Sequence, residues 1–290
     1  MTIALRIAAL EKSRGGFNLG PIDLEIEQGI AMGFIGPNGA GKSTTIHCIL
    51  GLLKANSGSI EVNGTAADPS AAAWKKSVGF VFSQQGFYER LTVLDNLKFI
   101  ASFYDTWDQG FADSVLKRLQ LDSKKKVKQL STGDRVKLAL VGALGHRPSL
   151  LVMDEPTSGL DPIVRSELID ILADLMKSGE HSNFMSTHIL ADVAAIADRL
   201  AFISNGKLVA VSDKDSLSEK WRRISFRSAE AVIDLPGSVK TERDGAIHLV
   251  TTSDADAAIA SLKKQNIEVL ESNRLNLEEI SVHILQRART

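Results

Sequence analysis

The stretch "FIGPNGAGKSTTIHCI", residues 34–49, decides how the rest of the chain is read. Glycines stand at 36, 39 and 41 beside Lys42, Ser43, Thr44 and Thr45. In a helix interior each glycine costs about 1 kcal/mol relative to alanine, so this spacing argues for a turn. Residues 31–35 before it form a short apolar run of the kind a buried strand makes. Residues 43–53 after it carry the apolar recurrence of an amphipathic helix. The segment reads as strand, glycine turn, helix. Such a turn points several backbone N–H groups inward, and the helix start adds its positive dipole end, so phosphate is the expected occupant. Gly36, Gly41, Lys42 and Ser43 satisfy G-x-x-x-x-G-K-[ST] in full. Gly36, Pro37, Asn38, Gly39, Ala40 and Gly41, followed by Lys42, Ser43 and Thr44, form the expected cradle. Lys42 would reach the terminal phosphates and the Ser43 hydroxyl would ligate magnesium.

The whole chain sets bounds on what surrounds this nucleotide site. Its 290 residues are ample for a large core, and roughly two domains are expected at this length. A net charge of −1 and a pI of about 6.6 give no global basic field, so nucleic acid is not an expected partner. Cys48 is the single cysteine and lies on the apolar face of the predicted helix, as a small buried residue in a reducing compartment would. The longest apolar tract, around residues 138–156, is broken by His146, Arg147 and Pro148 before it could span a membrane. The first ten residues lack a signal-peptide layout, so a soluble cytoplasmic chain is expected.

Residues 3–35 alternate like antiparallel strands, with turns at Gly15-Gly16 and Gly29. Short strands are predicted at 59–62, 78–82, 150–153 and 183–187, and an amphipathic helix at 163–177. Residues 87–145 read as helical. "RLAFISNGKLVAVSD", residues 199–213, is a hairpin on the Asn205-Gly206 turn. After about 215 the motifs stop, and strands near 223–226, 247–251 and 267–270 with helices near 254–264 and 277–286 suggest a small α+β appendage.

Further along, "LLVMDEP" at 150–156 is an apolar strand ending in two acids. A strand end beside a phosphate-binding loop is where α/β sheets bind ligands. Asp154 there would hold magnesium through water, and Glu155 would polarise an attacking water; a merely solvated strand end is the alternative. "LSTGDRVKLAL" at 130–140 opens a helix, where Ser131 and the N–H of Gly133 make either a second phosphate site or a simple N-cap. "SGLDP" at 158–162 is a turn containing Asp161, and "MSTHI" puts His188 at a strand end.

Taken in this order, the motifs resemble the ATPase subunit of ABC transporters over residues 1 to about 215. The tail and the Trp107-Asp108 region look closest to the ABC-2 type exporter group. The resemblance implies an α/β fold, in which a P-loop NTPase core carries an antiparallel β subdomain and a helical subdomain at about 87–145. Residues 216–290 would form the small C-terminal α+β domain. It further implies two ATPase subunits, identical or different, that sandwich two ATP molecules head to tail with Mg2+. Ser131 and Gly133 would then touch the γ-phosphate bound by the partner's Lys42, His188 would contact the γ-phosphate, and Asp161 would serve the dimer seam. An integral membrane permease on a separate chain would complete the machine, placing this subunit peripherally on the inner face of the membrane.

Three positions depart from the family pattern. Thr132 and Asp134 stand where the signature LSGGQ has a glycine and a glutamine, and Asp134 brings a negative charge that should weaken the second half-site unless Arg135 offsets it. The magnesium-contacting glutamine aligns with Ser83, with Gln84 one residue later. The aromatic that stacks on adenine aligns near Arg14, whose guanidinium would substitute for it unless Phe17 does. The run "KKKVK" at 124–128 is expected to be a solvated face, and Phe87, Tyr88, Phe99, Phe103 and Tyr104 to pack the helical subdomain, the alternative being a groove for a permease helix. The expected function is ATP hydrolysis that powers export. The rivals are a soluble ABC-type ATPase and an ATP-dependent regulatory switch not coupled to transport.

Overall fold

The computed structural model describes residues 2–71, 73–82, 86–177, 179, 181–228 and 234–287. The chain divides into two compact units, Met1–Val209 and Ala210–Thr290.

In the first unit, β1 (Ile3–Arg14) and β2 (Phe17–Glu27) form a long hairpin whose turn is Gly15-Gly16, with φ of 56 and 83. Alternation along β2 buries Ile22, Leu24 and Ile26 on one face, and Leu19 joins the same core across an irregularity in the register. The next strand, β3 (Ala31–Ile35), does not continue this sheet as the alternation over 3–35 suggested. It is buried along its whole length, which suits the interior of a parallel sheet rather than a two-faced antiparallel one. The glycine turn follows, then α1 (Lys42–Ile49), which stops at Leu50 because Gly51 takes a left-handed φ of 67. β4 (Ser57–Val62) and β5 (Thr65–Ala66) complete the antiparallel sheet in the order β2-β1-β4-β5.

β6 (Val78–Phe82) leads into the helical stretch, which is three α-helices, a short 3-10 turn at Val127–Gln129 and loops rather than continuous helix. These are α2 (Val93–Ala101), capped by Thr92 and Asp95, α3 (Gln109–Arg118), capped by Asp108, and α4 (Thr132–Leu144), capped by Ser131. β7 (Leu150–Asp154), α5 (Pro162–Met176), β8 (Ser182–Thr187), α6 (Leu190–Ile196) and β9 (Arg199–Ser204) complete the core. Five strands of the core sheet run β9-β3-β8-β7-β6 with parallel pairing between neighbours, and the strand after β9 adds a sixth at the β9 edge. The hairpin on Asn205-Gly206 continues to β10 (Lys207–Asp213), in which the chain passes into the second unit.

The second unit holds α7 (Lys214–Lys220), β11 (Arg222–Arg227), β12 (Ser238–Asp244), β13 (Ile247–Thr252), α8 (Ala255–Lys264), β14 (Val269–Arg274) and α9 (Leu277–Arg287). Its antiparallel sheet runs β12-β13-β11-β14, over a core of Ile224, Phe226, Leu235, Val250, Ala258 and Leu262.

Gly33, at the centre of β3, has no room for a side chain: a Cβ would stand 2.2 Å from Val193 Cγ1. Gly33→Ala is therefore expected to lower the stability of the first unit by about 1–3 kcal/mol through overpacking. A drop in the urea midpoint at unchanged slope would show it; an unaltered midpoint would mean that α6 yields without cost.

Candidate functional site

The strand order brings three loop ends into one row. β3 ends at Ile35 and feeds the glycine turn, β8 lies beside it and ends at Thr187, and β7 lies beyond β8 and ends at Asp154. The register sets Ile35 opposite Thr187 and Asp154 opposite Ser186. Glycine turn, acidic pair and strand-end histidine thus meet at the carboxyl edge of the sheet, where open α/β sheets bind ligands.

Gly39 and Gly41 have φ of 79 and 111, a region that side-chain-bearing residues avoid. A Cβ on Gly41 would also stand 2.7 Å from Leu19 Cδ1 and 3.2 Å from Phe17 Cζ, so the β1–β2 hairpin seats directly against the turn. Lys42 folds back over it, and Nζ donates to the carbonyl oxygens of Gly36 at 2.8 Å and Pro37 at 3.2 Å. The same nitrogen is 3.1 Å from Glu155 Oε1, with the lysine side chain only 4% exposed. The other Glu155 oxygen lies 3.1 Å from His188 Nδ1. One carboxylate therefore bridges the lysine of the turn and the histidine after β8.

Glu155 adopts a left-handed φ of 48, a conformation that persists only where the surroundings enforce it. Its N–H donates to the Ser186 carbonyl at 3.1 Å and lies 3.2 Å from Ser186 Oγ. Ser186 Oγ in turn donates to Asp154 Oδ1 at 2.5 Å, and both side chains are buried. Ser186 orients both acids, yet sequence reasoning passed over it; its place two residues before His188, in "MSTHI", was the available signal.

A cavity of about 430 Å³ is lined by Asn38, Gly39, Gly41, Lys42, Ser43, Thr44 and Glu155 from the core, and by Arg14 and Phe17 from the hairpin. Arg14 and Phe17 face each other across the hairpin turn. The lining suits a nucleotide: backbone donors and a buried cation for phosphates, and a guanidinium or aromatic ring for a base. The hydroxyl of Ser43 and the buried carboxylate of Asp154 are hard oxygen donors of the type magnesium takes.

Ser131, Gly133 and Asp161 are not among the described residues that line this cavity. Ser131 Oγ accepts the N–H of Asp134 at 3.1 Å, and Asp161 Oδ1 accepts those of Ile163 and Val164, so both act as helix caps. Gly133 is buried, where a Cβ would stand 2.5 Å from Val164 Cγ1. Arg135 does not offset Asp134. Its guanidinium grips both oxygens of Glu89 at 2.7 and 2.8 Å, which holds that carboxyl below its ordinary range and raises the guanidinium in turn. Lys125, from the basic run, stands 3.9 Å from Asp134 instead. Ser83 and Gln84 lie outside the described residues.

The aromatic residues of the helical part are not all packed inside it. Tyr88, Phe99 and Phe103 are 55%, 43% and 63% exposed and meet edge to face in sequence. Tyr88 and Phe99 line a groove of about 260 Å³ together with Phe80, Phe82, Tyr104 and His146.

Comparison with known proteins finds relatives of the chain. Residues 19–158 match the family model described as ABC transporter. The bacitracin transport ATP-binding protein BcrA of Bacillus licheniformis is 36% identical over 204 residues, 70% of this chain and 67% of that protein. A fluoroquinolones export ATP-binding protein of Mycobacterium tuberculosis is 30% identical over 285 residues, 93% of this chain and 88% of that one. Among solved structures, CbiO1 of Clostridium perfringens, part of an ABC transporter complex, superposes with a TM-score of 0.65 at 26% identity, over 73% of this chain and 89% of its own.

Lys42→Ala is expected to weaken ATP binding by about 10- to 100-fold, because hydrogen bonds to a charged group contribute about 1.5–3 kcal/mol. Titration of a fluorescent ATP analogue measures it, and an unchanged affinity would take Lys42 out of the phosphate cradle.

Proposed function

This chain belongs to the ABC transporter family of ATP-binding subunits, ATPases coupled to transport, and we propose that it drives substrate export through a membrane permease carried on another chain. The observation that carries the reading is the Glu155 carboxylate, held between Lys42 and His188 at the mouth of a phosphate-binding turn. The export direction draws on relatives named for bacitracin transport and fluoroquinolone export.

The proposed roles follow from charge. Lys42 and the N–H groups of residues 38–44 bind the β- and γ-phosphates, and Arg14 or Phe17 covers the adenine. Ser43 and Asp154 would hold magnesium, with Ser83 or Gln84 as a further ligand; the ion supplies neutralising charge to the phosphate oxygens. When the γ-phosphate takes over Lys42, Glu155 is released from its ion pair and becomes free to accept a proton from water. His188 stays beside it and donates to the γ-phosphate. Ser131 and the N-terminal N–H groups of α4 close over the nucleotide of a second subunit, and Asp161 lies at the seam between the two.

The division of labour is part of the same proposal: an ATPase domain over residues 1–215, with a helical subdomain at about 87–145, and an α+β domain over 216–290. The two compact units support it. The exposed aromatic groove beside Tyr88 and Phe99 is the surface on which a cytoplasmic helix of the permease docks. Among the described residues no helix is long and apolar enough to cross a membrane. We place the subunit at the inner face of the membrane, held there by the permease.

Glu155→Gln keeps the shape of the side chain and removes the base, so turnover is expected to fall by at least about 100-fold. The uncleaved nucleotide should then hold two chains together, visible as an ATP-dependent dimer on size exclusion. Hydrolysis at near wild-type rate would assign the base elsewhere.

A further inference from the structure

A second buried carboxylate lies outside the cavity. Asp192, on α6, is 3% exposed, and both of its oxygens are engaged by other segments of the chain. Oδ2 accepts the hydroxyl of Thr157 at 2.5 Å, and Oδ1 accepts Nε–H of Arg165 at 2.6 Å. Thr157 is 1% exposed, so this contact is shielded from water, and Arg165 covers the other side of the pair. Burying a carboxylate is costly unless charge and hydrogen bonds both compensate it, and here each oxygen has one such partner.

The positions of the three partners matter more than the bond strengths. Thr157 follows Glu155 by two residues in the loop between β7 and α5. Arg165 follows Asp161 by four residues, one turn into α5. Asp192 itself follows His188 by four residues. The bonds of Ser158 N–H to the Glu155 carbonyl, at 3.1 Å, and of Leu160 N–H to the Thr157 carbonyl, at 3.3 Å, are internal to the loop, and Ser186 anchors it only upstream of Pro156, at Asp154 and Glu155. The link from Thr157 to Asp192 ties it to the neighbouring segment.

We propose that Asp192 is a positioning residue of the hydrolysis centre, one carboxylate that holds the Glu155 loop, the helix capped by Asp161 and the His188 segment in register. It is not among the described residues that line the nucleotide cavity and acts through Thr157 and Arg165. Through Arg165 it also connects the Asp161 end of α5 to the loop of the base, so a shift at one is felt at the other. The proposal rests on the reading of Glu155 as the base. Displacing such a base by about 1 Å costs on the order of 100-fold in rate while leaving phosphate binding intact.

The test is steady-state ATP hydrolysis by the full chain carrying Thr157→Val, Thr157→Ser or Asp192→Asn. Valine keeps the shape of threonine and loses the hydroxyl; serine keeps the hydroxyl and loses the methyl. Thr157→Val is expected to lower kcat about tenfold or more with KM within about twofold, while Thr157→Ser keeps wild-type kcat. Asp192→Asn should resemble Thr157→Val, and if it fails to fold the two threonine variants still decide the matter. A role in packing alone would invert the pattern, with Thr157→Val active and Thr157→Ser impaired, and would overturn the proposal. Undiminished kcat in Thr157→Val beside an active wild type would overturn this proposal alone. A wild type that binds ATP without hydrolysing it would overturn the catalytic reading of Glu155 and the proposal with it.

Discussion

An ammonium group buried at the edge of a sheet needs a counter-charge, and the Lys42–Glu155 ion pair meets that need. Lys42 is 5% exposed, and two loop carbonyls satisfy part of its hydrogen-bonding capacity without neutralising it. Glu155 supplies the charge. Because the partner is itself the proposed base, the resting site stores its catalytic carboxylate on the lysine that phosphate will claim. Binding and activation then become one exchange of anions: phosphate displaces carboxylate from Lys42, and the carboxylate turns to water.

That exchange works only if Glu155 stays put while its partner changes. Its left-handed backbone is held by Ser186, whose hydroxyl also fixes Asp154, and the parallel register of β7 and β8 sets Ser186 opposite Asp154. Asp192 adds a second hold two residues downstream, at Thr157. Two buried hydroxyl–carboxylate bonds thus frame the loop of the base, one on each side of Pro156. The glycine turn is held differently, by close approach of the β1–β2 hairpin at Gly41 and by the bond from Gly206 N–H to the Ala40 carbonyl at 2.9 Å.

The phosphate turn, the acidic pair and the strand-end histidine were legible in the sequence because each depends on local chemistry: glycines where φ is positive, and polar residues just past apolar strands. What escaped the reading depends on register. Nothing in "MSTHI" says that Ser186 faces Asp154 until β7 is laid beside β8. Thr157, Arg165 and Asp192 converge from three segments and are ordinary residues in each. Sequence adjacency misled at Asp134 and Arg135, since neighbours on a helix point about 100° apart; one meets Lys125 and the other Glu89. In the second unit, "SVKTERD" was missed as β12 because it is largely exposed and shows no apolar alternation. For the aromatics of the helical part, hydrophobicity favoured packing inside it over an exposed groove, because hydrophobicity alone does not separate a core from an exposed patch.

The anion exchange at Lys42 can be tested directly by titrating ATP, with a chelator present to suppress hydrolysis, into the wild type and into Glu155→Gln at concentrations that keep both monomeric. Removing the carboxylate frees Lys42 in advance, so ATP should bind the variant about five- to tenfold more tightly, the equivalent of a partly buried ion pair worth about 1 kcal/mol. An affinity equal to or weaker than that of the wild type would contradict the exchange and leave the ion pair as a structural contact only.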